Sequence, residues 1–238
     1  ADAGASWERH ELGITADLQA IAIAEDHDGA AIRVVLAGDG VLMSRGASGS
    51  FAPLTIEARG FTSVALDHHG ERLLAVADDG SIWRADGAAA PEHVADASDR
   101  SLYAVSLDAA GEIAVVVGSE GYLAMSHDGG TSWQPQLLPT VRDLFAVRLS
   151  FQGDTVIAVG EAGTVVRIDD GGTTARELLD PSLALRGVHL HAQGAGHAVG
   201  DAGTVLFTTD LGLSWQPLDA DTDAVLRGVD DFHLGAHF

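Results

Sequence analysis

Thirteen arginines and no lysine carry the permanent positive charge of this chain. Several recur at one phase of the sequence: Arg59 precedes Phe61, Arg100 precedes Leu102 and Arg142 precedes Leu144, while Arg186 follows Leu185 and Arg227 follows Leu226. Arg148 lies inside the apolar run that begins at Leu144. A guanidinium is a planar fork of donors that matches a carboxylate or phosphate bidentately. Arginines repeated at one phase would converge on a ring at the mouth of a central channel. The chemistry of such a ring is recognition of an anionic group, on a protein partner or on a small ligand. The plainer alternative is surface pairing with Asp99, Asp143, Asp180 and Asp223, which contributes little.

Histidines offer a second chemistry. His189 and His191 alternate, so on a strand both point to one side. With Asp230 or Asp231 one repeat later they are weak metal-ligand candidates, since imidazole and carboxylate together suit a divalent transition metal. No metal and no cofactor is expected. Cysteine is absent, which removes thiol nucleophiles, disulfides and zinc–thiolate sites. A sialidase-like glycosidase would need an arginine triad, a tyrosine nucleophile and carboxylates, and the only tyrosines are Tyr103 and Tyr122. Neither a phosphate-binding loop nor a Gly-x-Ser-x-Gly elbow is present. No residue is assigned a catalytic role.

The charge balance narrows the partners. Asp and Glu number 35 against 13 arginines, a net charge of −22, which argues against nucleic-acid binding through phosphate neutralisation. Apolar residues make up 46% of the chain, too many for a disordered polyanion. No apolar run reaches the roughly 18 residues of a membrane-spanning helix.

Elements that could position these residues repeat. Hairpins AGDGVL, ADDGSI, GSEGYL, GEAGTV and GDAGTV place their second glycines at Gly40, Gly80, Gly121, Gly163 and Gly203, at intervals of 40, 41, 42 and 40. Apolar runs begin at the same phase, near Leu18, Phe61, Leu102, Leu144 and Leu185, and again near Leu226. They are short and rich in β-branched residues, as in Ile113–Val117 and Thr155–Val159. A period near 41 with about four strands per unit is that of a β-propeller blade. The expected fold is all-β, one propeller domain over residues 1–238. It would have six blades of about four antiparallel strands, the last shared by residues 226–238 and 1–12.

A turn motif accompanies the period. It reads Ser126-His127-Asp128-Gly129-Gly130-Thr131-Ser132-Trp133, then Thr208-Thr209-Asp210-Leu211-Gly212-Leu213-Ser214-Trp215, with a truncated copy from Asp2 to Trp7. A further copy, Asp170 to Thr174, ends in Ala175 where tryptophan is expected. The aspartate would accept backbone N–H groups across the turn, the glycine would take a conformation closed to other residues, and the tryptophan would pack between sheets. Asp2, Trp7, Asp128, Gly130, Trp133, Asp210, Gly212 and Trp215 are therefore expected to be structural.

This motif resembles the Asp-box of BNR-type propellers. Leu144-Phe145-Ala146-Val147 and Ala158-Val159-Gly160-Glu161-Ala162-Gly163-Thr164-Val165, followed by the Asp-box position, are similar to the photosystem II stability/assembly factor family. The resemblance implies a propeller that binds protein or pigment–protein partners without catalysis, with an arginine-rich patch on one face. It also points to a periplasmic or secreted bacterial protein. Two other functions compete with it: a small-ligand or carbohydrate-binding propeller, and a degenerate sialidase-like glycosidase. A binding scaffold should show a broad apolar or basic face, and a ligand binder a concave site with convergent polar groups.

Overall fold

The computed structural model describes residues 9, 11–26, 28–54, 59–97, 99–191 and 193–230. Five four-stranded antiparallel sheets follow one another along the chain. The first holds β1 (Leu18–Glu25), β2 (Ala31–Gly38), β3 (Val41–Gly46) and β4 (Ala52–Pro53). The second holds β5 (Phe61–Leu66), β6 (Arg72–Ala77), β7 (Ser81–Asp86) and β8 (Glu92–Asp96), and the third β9 (Leu102–Leu107), β10 (Ala114–Gly118), β11 (Leu123–Ser126) and β12 (Gln134–Pro135). The fourth comprises β13 (Leu144–Leu149), β14 (Val156–Gly160), β15 (Thr164–Asp169) and β16 (Gly172–Glu177). The fifth comprises β17 (Leu185–Leu190), β18 (Gly196–Gly200), β19 (Val205–Thr208) and β20 (Gln216–Leu218). No helix among the described residues is long and apolar enough to cross a membrane.

Each sheet is a meander, with strands in chain order, and the first strands pack side by side from sheet to sheet. Thr62 Oγ1 donates to Leu102 O at 2.8 Å, Ser63 Oγ accepts from Val105 N–H and Ser106 Oγ accepts from Leu149 N–H. These contacts step in the same direction along both strands, so neighbouring first strands run parallel. One end of every blade therefore carries the hairpins between second and third strands and the connection to the next blade. The opposite end carries the Asp-box turns.

The middle strands explain themselves by burial on both faces. In β10 every residue is buried; Val115 and Val117 pack towards the fourth sheet, Ala114 and Val116 towards the second. A strand sandwiched this way reads as a continuous apolar run, not an alternating one. Four such cores lie between successive sheets, around Phe61, Leu102, Leu144 and Leu185.

The approach between first and second strands sets a size rule. A Cβ on Gly118, Gly160 or Gly200 would stand 2.0, 1.9 or 2.0 Å from the carbonyl oxygen of Ser101, Asp143 or Ala184. In the second sheet the roles reverse: Asp78 occupies that position, and Gly60 leaves room for its carboxylate.

Residues 226–230 continue the pattern beyond the fifth sheet. Gly203 N–H donates to Ala224 O at 2.7 Å, as Gly40 N–H does to Arg59 O at 2.7 Å. Leu226 N–H donates to Gly200 O at 2.9 Å, and a Cβ on Gly187 would come within 3.1 Å of Gly228 Cα. The segment thus runs beside β17 where the first strand of a further blade would lie. The proposed final blade otherwise falls mainly outside the described residues, as do Asp2, Trp7 and Asp231.

Candidate functional site

The first strand of each sheet carries a β-bulge at the same place. Register shifts fall between Leu18 and Ala20, Phe61 and Ser63, Leu102 and Ala104, Leu144 and Ala146, and Leu185 and Gly187. A bulge leaves its extra residue outside the ladder and re-aims its side chain. The residues so displaced are Gln19, Thr62, Tyr103, Phe145 and Arg186, with Arg227 at the same sequence position after Leu226. Three of them touch in series. The Tyr103 and Phe145 rings lie 5.7 Å apart, and the Arg186 guanidinium stands 5.0 Å over the Phe145 ring. All three are half-buried, at the hairpin end of the first strands.

The predicted arginines fall into two kinds. Arg59, Arg100 and Arg142 sit ahead of the strand and reach the hairpin of their own blade. Arg59 pairs with Asp79 at 2.5 Å, Arg100 approaches Glu120 at 3.6 Å, and Arg142 donates to Glu177 at 3.1 Å with Glu161 at 3.9 Å. Arg59 and Arg100 also lie over Trp83 and Tyr122. Arg186, on the bulge, donates to both oxygens of Asp201, at 2.9 and 3.1 Å. That bidentate contact pulls the Asp201 carboxyl below its usual range and raises Arg186; Arg227 also acts on Asp201. Arg227 and Arg148 are exposed. The anticipated partners Asp99, Asp143, Asp180 and Asp223 are replaced in these pairs by carboxylates 15 to 20 residues after each arginine, which the hairpin brings back to the strand start, and for Arg142 also by Glu177 at the end of β16.

Asp143 has another task. Its Oδ1 accepts Glu120 N–H at 2.9 Å, and its carboxylate faces the Tyr103 hydroxyl. Burial first, then the Asp143 charge, push the Tyr103 phenol up, which keeps it a hydrogen-bond donor. At the same end of the blades, Leu137 and Val141 in the connection to β13 are 97% and 82% exposed. The face at the hairpin end thus combines guanidinium groups, two aromatic rings and bare aliphatic side chains.

His189 and His191 stack edge to face at 5.1 Å, and His197 continues the series to Phe207. His189 Nδ1 stands 3.0 Å from Asp230 Oδ1 but out of line for a hydrogen bond. Among the described residues no group of three or more His, Asp or Glu has a metal-holding arrangement.

The Asp-box turns lie at the other end and are tied locally. Asp128 Oδ1 accepts the Thr131 and Ser132 N–H groups at 3.0 and 2.9 Å and the Ser126 hydroxyl at 2.8 Å; Oδ2 accepts Ser132 Oγ at 2.6 Å. Asp210 repeats this with Thr208 and Ser214. Gly130 and Gly212 have φ of 86° and 76°, and a Cβ on either would strike Leu74 or Ile157 of the preceding sheet. Trp133 and Trp215 pack on the cores behind them. Two arginines that sequence inspection passed over clamp these turns: Arg84 Nε donates to Gly129 O and Arg167 Nε to Leu211 O, each at 2.9 Å. The shared spacing Arg84-Ala85-Asp86 and Arg167-Ile168-Asp169 was the available signal.

The sequence profile of the family described as photosynthesis system II assembly factor YCF48 matches residues 92–236, more than half of the chain. The chain belongs to this family. Its members' BNR-type propeller accounts for the repeated sheets and Asp-boxes, and the YCF48 match covers the blades that carry Tyr103, Phe145 and Arg186. No curated protein matches the chain in sequence. Among solved structures it is similar to one of YCF48 bound to a D1 peptide, at 16% identity over 89% of this chain and 83% of that one, with a TM-score of 0.47. It is also similar to a GH74 xyloglucanase from Xanthomonas campestris, at 19% identity over 86% of this chain and 38% of that one, with a TM-score of 0.65. The xyloglucanase likeness shows the fold alone.

Proposed function

We propose that this chain is a non-catalytic binding propeller that engages an anionic group of a protein partner through the face at the hairpin end. The observation that carries this is the continuous Tyr103–Phe145–Arg186 ledge across three first strands, with exposed Leu137 and Val141 at the same end of the blades. Aromatic rings and arginine are the side chains that most often dominate protein interfaces. Arg186 reaches Asp201 through Nε and Nη2, which leaves Nη1 for a carboxylate of the partner. Arg142, Arg227, Arg100 and Arg59 would extend the rim of guanidinium groups, and Arg148 would line the channel below it.

We further propose six blades, with residues 226–238 and 1–12 completing the ring. Support comes from two sheet faces at its ends. Leu18, Ile21 and Ile23 are exposed on β1, although Leu144, Val147 and Leu149 hold the same positions buried on β13. Residues 226–230 already flank the fifth sheet.

The test immobilises the wild type and an Arg142→Gln/Arg186→Gln/Arg227→Gln variant, exposes both to lysate of the source cells, and identifies retained proteins by mass spectrometry. The D1 peptide serves as one defined probe in parallel. A partner held by the wild type and lost by the folded variant is expected. Identical retention by both would refute the role of this face.

A further inference from the structure

The rim of the fourth blade departs from its neighbours. Where the Asp-box is intact the outer strand is short, two residues in β12 and three in β20. In the fourth blade the tryptophan position is Ala175, and Asp170-Gly171 close a two-residue hairpin in which Asp169 faces Gly172. With no box to hold the chain in a turn, β16 pairs with β15 along its whole length of six residues. Among the described residues no strand pairs with its other edge. Such an edge presents backbone N–H and C=O groups to a further strand.

A crevice of about 60 Å³ lies between β16 and the Asp-box turn of the fifth blade, lined by Thr174, Arg176, Leu178, Leu213 and Trp215 among others. This is roughly the space of two water molecules. Trp215 lines the crevice, and its Nε1 is buried with no acceptor, whereas the matching Trp133 Nε1 donates to Gly130 O at 3.1 Å. Arg176 uses one N–H on Leu213 O at 3.2 Å. No carboxylate is among the lining residues. A crevice lined by a guanidinium with N–H groups to spare and by a tryptophan whose Nε1 is orphaned suits an anionic acceptor.

We propose that β16 is a second docking edge, distinct from the arginine-bearing face. It takes an extended segment of a partner protein by strand addition, and the crevice takes an Asp or Glu side chain of that segment. Arg176 binds the carboxylate, and the exposed side chain of Leu213 turns aside to admit it to Trp215 Nε1.

The probe is the blocked peptide acetyl-Val-Thr-Glu-Thr-Val-amide, with its Gln counterpart as control, titrated into the whole ¹⁵N-labelled protein. The readout is the Trp215 indole N–H resonance, assigned with Trp215→Phe. The Glu peptide should move that resonance, and Arg176→Gln should weaken its binding about tenfold. The Gln peptide should bind more weakly than the Glu peptide, and Arg186→Gln should leave both unchanged. An unmoved resonance at millimolar peptide would overturn the proposal. So would equal responses to the two peptides, or a response to acetate alone that matches the Glu peptide, because strand addition would then contribute nothing.

Discussion

Replacing Asp128 by Asn isolates what the Asp-box carboxylate does. The substitution keeps the side-chain shape and the Oδ1 acceptor. It removes the charge and the oxygen that accepts Ser132 Oγ at 2.6 Å. The Ser132 hydroxyl first, then the Ser132 N–H and the Ser126 hydroxyl, hold the Asp128 carboxyl at about 2 against an ordinary 3.8. At about 1.4 kcal/mol per pH unit, that depression corresponds to about 2.5 kcal/mol. The group faces solvent, so screening leaves about 1 kcal/mol at neutral pH. For a domain of this size the melting temperature should fall by about 2–4 °C. Because the folded-state value lies below the unfolded one, the stabilisation is complete above about pH 4 and is lost as pH falls through about 2. The gap between wild type and variant should therefore be widest from about pH 5 to 7 and close between about pH 4 and 2. Urea titrations followed by tryptophan emission across that range read it directly. Equal stability at neutral pH, or a gap that stays constant down to about pH 3, would refute the reasoning.

Two further changes test the packing. Gly160→Ala puts a Cβ 1.9 Å from Asp143 O and should cost about 1–3 kcal/mol through forced backbone movement, measured by denaturant melts; an unchanged midpoint would refute the close approach. Leu144→Ala empties a fully buried site between the third and fourth sheets and should cost about 2–5 kcal/mol, and wild-type stability would show that this core is not where the structure places it.

The all-β class and the BNR-type family were legible in the sequence because their signals are local. Strand runs such as Val115-Val116-Val117 and hairpin glycines such as Gly121 and Gly163 state their conformation within a few residues. The Asp-box is equally local, since Asp128 satisfies donors no more than four residues away. Even the loss of tryptophan at Ala175 was visible, though not its consequence for β16.

Tertiary structure decided the rest, because the remaining contacts join residues that no short-range pattern links. Which carboxylate neutralises Arg186 depends on a hairpin folding Asp201 back to the strand start. Tyr103, Phe145 and Arg186 become one surface only when three first strands lie side by side with their bulges level. The crevice at Trp215 exists only between two blades, where a side chain of one meets the turn of the next. The sequence by itself determined the repeating unit, whose turns and ladder hydrogen bonds are settled within one blade. The candidate surfaces arise where units meet, and there relative position, not residue type, sets the chemistry.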